Sequence, residues 1–217
     1  MNVRTRVGVH LAACAAASVA VPASAAIVYF GNQNLTINSD FNGLYLNVVT
    51  GAYNVGGGGG GTVTGGWHIN GYGNGFLNWF QSPGRGLGYL QGPPSGGGGG
   101  GTPVTSFANL AVGTLIDGSP SNTFASGDGA SSNDLTLNGE SIVGFRFNIS
   151  GLTHYGWFRV SLAGSLGAQP RKIVDWAYED AAGVGILAGV TPSAVPGGGL
   201  ASLVLTGFGS AAFRRRR

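Results

Sequence analysis

Ile142-Val143-Gly144-Phe145-Arg146-Phe147-Asn148-Ile149 decides the fold, because Phe145, Phe147 and Ile149 alternate with Arg146 and Asn148. A period of two puts large apolar groups on one face of a strand and polar ones on the other. Outward along the chain, Phe158, Val160 and Leu162 repeat the alternation against Trp157, Arg159 and Ser161, and Val174, Trp176 and Tyr178 repeat it against Asp175. Gly151-Leu152-Thr153 and the stretch from Gly164 to Pro170 separate the three runs, so an antiparallel meander is expected.

The composition extends this reading to the whole chain. Forty-three glycines in 217 residues, with few aliphatic runs at helical spacing, argue for many short strands joined by Gly- and Asn-rich turns. Ile27 to Phe30, Leu44 to Val49, Trp67 to Asn70, Phe76 to Phe80 and Val104 to Phe107 are further strand candidates. The expected class is all-β, an antiparallel β-sandwich of jelly-roll type. Two hexaglycine runs, Gly56 to Gly61 and Gly96 to Gly101, read as insertions in surface loops. A phosphate-cradling loop would need a preceding strand, a following helix N-terminus and a lysine, and neither run has them.

Both ends read as addresses. Arg4 and Arg6, the apolar stretch from Val7 to Val21 and Pro22-Ala23-Ser24-Ala25-Ala26 form a signal peptide over 1–26, cut after Ala25 or Ala26. Leu11-Ala12-Ala13-Cys14 also fits a lipoprotein cleavage box, an alternative in which Cys14 is the lipidated N-terminus. Residues 194–217 carry Val195-Pro196, the uncharged run from Leu200 to Phe213 and the cluster Arg214, Arg215, Arg216 and Arg217. Arginines resist crossing a bilayer and mark its cytoplasmic side. As a short transmembrane helix the apolar run would reach roughly 21 Å against a hydrocarbon core of about 30 Å, which suits a transient anchor. The alternative for this run is a C-terminal helix packed on the domain.

This layout of signal peptide, Gly-rich β domain (27–193), Val-Pro motif, short apolar span and terminal arginine cluster resembles the PEP-CTERM class of exported bacterial proteins. The tail differs from the usual Pro-Glu-Pro in having one proline and no glutamate. The resemblance implies an exosortase-type membrane protease as a processing partner, alongside the Sec translocon and signal peptidase. It implies a path from the inner membrane to the cell surface or extracellular matrix. Within the domain, Thr153-His154-Tyr155-Gly156-Trp157-Phe158-Arg159-Val160, Ile173-Val174-Asp175-Trp176-Ala177-Tyr178-Glu179-Asp180 and Gly185-Ile186-Leu187-Ala188-Gly189 are similar to an HYGW…DYAYE…ILAG segment found in exported proteins of unassigned activity.

Charge excludes one class of partner. Outside the two end segments only Arg85, Arg146, Arg159, Arg171 and Lys172 face eight acids, so the domain is acidic despite the basic whole. With no basic patch beyond Arg171-Lys172, no nucleic-acid partner is expected. The single cysteine, Cys14, falls in the signal peptide, which leaves the domain without a disulfide or a thiol nucleophile.

Candidate sites are sparse, and neither a cofactor nor catalysis is expected. His68 and His154 lack metal-pair spacing and read as satisfied structural histidines. Ser141, His154 and Asp175 could compose a nucleophilic triad on paper, but no Gly-x-Ser-x-Gly elbow accompanies them. Asp117-Gly118-Ser119 and Asp128 through Asn133-Asp134 read as turn aspartates; any calcium would be sought at Asp128, Asn133 and Asp134. Glu179-Asp180 reads as a charged strand end within reach of Arg159. Trp67, Tyr72, Phe76, Trp79, Phe80 and Tyr89 crowd one Asn-rich region and are expected chiefly in the core, whereas exposed and coplanar rings would mark a sugar-stacking surface. The expected function is that of a non-catalytic exported surface or matrix protein. The alternative is a carbohydrate-binding module for exopolysaccharide, with Trp79 as its test residue.

Overall fold

The computed structural model describes residues 25–55, 65–82, 84–92, 106–125 and 134–192. The signal peptide as far as Ser24, both glycine runs, Asp128, Asn133, Val195, Pro196 and Arg214 to Arg217 lie outside them. The strands are β1 (Ile27–Phe30), β2 (Leu35–Thr36), β3 (Leu44–Leu46), β4 (Tyr53–Val55), β5 (Ile69–Tyr72), β6 (Asn78–Gln81), β7 (Gly88–Leu90), β8 (Leu115–Ile116), β9 (Phe124–Ala125), β10 (Gly139–Ile149), β11 (Leu152–Leu162), β12 (Lys172–Glu179) and β13 (Ile186–Leu187). The described residues are all-β with antiparallel sheets, and among them no helix is long and apolar enough to cross a membrane.

The expected meander forms the centre of a seven-stranded sheet in the order β1-β12-β11-β10-β7-β9, with β2 also on β12. β10 and β11 pair along their whole lengths, from Gly139↔Leu162 to Ile149↔Leu152. Their two-residue turn is Ser150-Gly151, both at positive φ (52° and 82°), the type I′ geometry whose twist matches that of the strands. A second sheet runs β4-β3-β5-β6, and β8 with β13 makes a short ribbon.

Side chains from both larger sheets belong to one core. Phe145, Phe147, Phe158, Val160, Ile173 and Trp176 of the large sheet cluster with Leu44, Leu46, Ile69 and Trp79 of the smaller one. The Trp79 and Phe158 rings stand 5.0 Å apart, while Trp176 stacks on Phe30 at 4.7 Å and donates its indole N–H to the carbonyl of Val48 at 3.0 Å.

Three expectations about the strands change. Trp157, placed on the polar face by its alternation, is fully buried, because the ribbon covers that side of the large sheet. There Ile142, Tyr155, Trp157 and Ala177 form a second cluster with Ile116, Ile186 and Ala188. The register of β11 with β12 shifts between Arg159 and Val160, so Ile173 takes the core position that strict alternation gives to Val174. Of the candidate Val104 to Phe107, the described part is an isolated bridge from Phe107 to Gln91.

The three pieces of sequence between Thr153 and Gly189 form one packing unit. The first two are paired strands and the third contains β13, where Ile186 and the following Ala188 close over Trp157 and Ala177. A Cβ on Gly156 would stand 2.5 Å from the Phe145 ring and 2.7 Å from the carbonyl of Ala177, so the Tyr-Gly-Trp centre has no room for a side chain.

Candidate functional site

The outer face of the four-stranded sheet carries the most distinctive chemistry. Leu44, Leu46, Ile69, Gly71 and Trp79 point into the core, so the alternate positions Tyr45, Tyr72, Asn78 and Phe80 point away from it. Tyr72 and Phe80 lie diagonally across β5 and β6 and stack at 5.0 Å with an interplanar angle of 29°. Phe76, in the β5–β6 turn, meets Tyr72 edge-on at 6.3 Å and leans toward Phe41 at 6.4 Å. Trp67 packs edge-on against Tyr45 at 5.1 Å. Phe41, Phe76 and Phe80 are exposed at 71%, 36% and 38%, far above the core rings. Polar groups sit among them: the Asn78 amide reaches the Tyr72 hydroxyl at 3.5 Å.

The six aromatics singled out in the sequence therefore divide. Trp79 and Tyr89 are fully buried, with the Tyr89 hydroxyl donating to the carbonyl of Phe80 at 3.0 Å. Trp67, Tyr72, Phe76 and Phe80 belong to the outer surface. Trp79 is thus a core residue and not a test of ligand contact, because its side of β6 faces the large sheet.

One buried cation positions this surface. Arg171 is fully buried and uses all five N–H groups on backbone carbonyls. Nε donates to Ile37 at 3.0 Å, Nη1 to Phe76 at 2.7 Å and Leu166 at 2.9 Å, and Nη2 to Asn38 and Gly73. The β5–β6 turn that bears Phe76 is thus tied to the chain before β12. Burial lowers the basicity of the guanidinium, and the charge of Asp40 opposes that shift. In sequence Arg171 stood out only as half of the Arg171-Lys172 pair; no local signal reveals a residue whose partners are carbonyls scattered from 37 to 166.

A second polar feature lies where the β3–β4 turn meets the β10–β11 turn. A pocket of about 280 Å³ is lined by Asn47, Thr50, His68, Arg85, Asn148 and Ser150 among others. His68 is buried and stands edge-on to Phe147 at 5.3 Å, but its Nδ1 has no hydrogen-bond partner, contrary to the expectation of a satisfied histidine. Desolvation, reinforced by the Arg85 charge, lowers its pKa to about 4, so the ring is neutral at pH 7. The unfolded chain binds this proton more readily, which makes the stability contribution complete above about pH 6.5 and lost as pH falls toward 4. His68→Gln is expected to remove up to about 3 kcal/mol of that acid sensitivity. Urea melts of both proteins at pH 7 and pH 4.5 measure it, and parallel losses in the two would refute it.

The remaining candidates are not assembled into a site. Ser141 accepts from the Thr136 N–H at 2.8 Å, and His154 Nδ1–H donates to the Glu179 carbonyl at 2.9 Å. Ser141 pairs with Val160 and His154 with Phe147, several residues apart along one hairpin, while Asp175 sits opposite Arg159 on the other face of the sheet. No triad forms from them. Arg159 pairs with Glu140 at 3.5 Å and Asp175 at 3.4 Å instead of Glu179, whose partner across the sheet is Ile27 at the far end of β12. Burial raises the Asp175 carboxyl pKa, although the Tyr29 hydroxyl, donating at 2.9 Å, and Arg159 both work against that rise. Asp117 closes an Asx turn on the Ser119 N–H at 3.0 Å, and Asp134 accepts from the Ser106 hydroxyl. Among the described residues no three His, Cys, Asp or Glu side chains gather to hold a metal.

No family model, curated protein or solved structure matches the chain.

Proposed function

We propose that this chain is a non-catalytic exported protein of the cell surface or extracellular matrix, whose jelly-roll β-sandwich holds exopolysaccharide on its outer aromatic face. The observation that carries the reading is the stacked pair of half-buried Tyr72 and exposed Phe80 on the sheet, with exposed Phe76 beside it in the turn and amide and hydroxyl groups among them. Pyranose rings present flat C–H surfaces that lie on aromatic faces, while their hydroxyls need nearby donors and acceptors; such rigid rings lose little entropy on binding. The sandwich assignment draws on the core shared by the two larger sheets. Export rests on the two ends of the sequence: Sec translocation, signal peptidase cleavage near Ala26, arrest of the Leu200 to Phe213 run, and exosortase-type release near Val195-Pro196.

The test is binding of the full chain to neutral and acidic exopolysaccharides by affinity electrophoresis. Tyr72→Ala combined with Phe80→Ala is expected to weaken retention by about tenfold or more with the melting transition preserved. Equal retention by the double variant would remove the aromatic face from the function. Mass spectrometry of the native protein's ends examines export separately, and a product retaining Met1 and Arg217 would count against it.

A further inference from the structure

The pocket beside His68 has a chemistry of its own. Asn47 Oδ1 accepts the N–H groups of Val49 at 3.0 Å and Thr50 at 3.2 Å, which turns its Nδ2 toward Gly66 and lets it donate to the Gly65 carbonyl at a long 3.4 Å. The carbonyl of Arg85 accepts from the Asn148 N–H at 2.8 Å, holding that segment against β10. The two donors converge. A Cβ on Gly66 would stand 2.8 Å from Arg85 Nη2 and 3.3 Å from Asn47 Nδ2, so the bare glycine is what lets these two pocket-lining donors come together over it. Arg85 is the only charged residue lining the pocket, and among the described residues it has no carboxylate partner.

We infer that this pocket binds a small hydroxylated monocarboxylate of the uronic acid class, its carboxylate on Arg85 and Asn47 and its hydroxyls toward Thr50, Asn148 and Ser150. A lone guanidinium balances one negative charge, which favours a carboxylate over a phosphate carrying nearly two. The volume of about 280 Å³ is close to the lower bound for small-ligand sites and suits a single ring. His68 remains neutral at pH 7 and adds no second cation, so it does not alter the charge match. This site is separate from the aromatic face and does not depend on it.

The experiment is titration of the full chain with glucuronate, glucose, acetate and inorganic phosphate, followed by NMR shifts of the Arg85 and Asn148 amides. Glucuronate is expected to bind in the millimolar range or tighter, ahead of acetate, glucose and phosphate. Arg85→Gln should weaken it about tenfold or more with an unchanged melting transition, because Arg85 is exposed. The Tyr72→Ala, Phe80→Ala double variant should bind glucuronate normally, which separates this site from the aromatic face. Glucose binding as well as glucuronate, phosphate binding better than glucuronate, or an Arg85→Gln variant of full affinity would each overturn the assignment.

Discussion

Arg171→Met is expected to destabilise the fold by about 3–5 kcal/mol, the range for breaking up a buried charged network. Methionine keeps much of the arginine volume, so the loss isolates the carbonyls of Asn38, Gly73, Phe76 and Leu166, which lose the guanidinium as donor, while that of Ile37 keeps the Gln169 amide at 2.9 Å. Arg171→Lys retains a cation but has three donors for five acceptors, and should fall between the wild type and the methionine variant. Against a total stability of roughly 5–15 kcal/mol for a domain of ordinary size, the methionine variant stands near the limit of folding. Equilibrium urea denaturation reads the difference through the transition midpoint. A midpoint unchanged by Arg171→Met would mean that water replaces the guanidinium and that the clamp is unimportant.

Gly43→Ala is expected to cost a comparable amount, about 3–5 kcal/mol, and to disrupt the aromatic face with it. Gly43 has φ of +58°, and a Cβ there would stand 1.9 Å from the carbonyl oxygen of Gly71 and 2.6 Å from Cα of Tyr72. Both are backbone atoms in β5, so relief requires separating β3 from β5 where Leu44 pairs with Gly71. Gly75→Ala provides the comparison. That residue also has positive φ, +84°, but nothing lies within 4 Å of its added Cβ, so only the conformational cost of about 1–2 kcal/mol applies. Thermal melts of the two variants should differ clearly, and equal losses would show that β3 and β5 do not approach this closely.

The long central strands were legible because their signal is local. Each of β10 and β11 places apolar groups at every second position over enough residues for the pleat to be read directly. Strands such as β4, β8 and β13 have two or three residues, too few for a period, and exist because an equally short partner, β3 for β4 and each other for β8 and β13, supplies their hydrogen bonds. Alternation also misplaced Trp157 and Val174. It assumes one buried face and no inserted residue, whereas here the ribbon of β8 and β13 buries the second face and the register slips beside Arg159.

The aromatic cluster was visible as a group, but its division into core and surface was not. Trp79 and Phe80 are neighbours in sequence with opposite fates, and only the pairing of β6 with β5 determines which of them turns inward. The expectation of a satisfied His68 failed for the same reason, and the carbonyl clamp of Arg171 went unforeseen. A side chain's burial can be guessed from its type, whereas its partners come from distant segments.

By itself, then, the order of residues determined the antiparallel central meander, the excess of acids between two arginine-bearing ends and the presence of a single cysteine, since these follow from composition and short-range periodicity. Tertiary structure alone decided which rings form the outer face, which carbonyls Arg171 gathers and where Arg85 meets Asn47. Those relations depend on contacts between residues far apart in the chain, whose geometry exists only once the sheets have paired and packed.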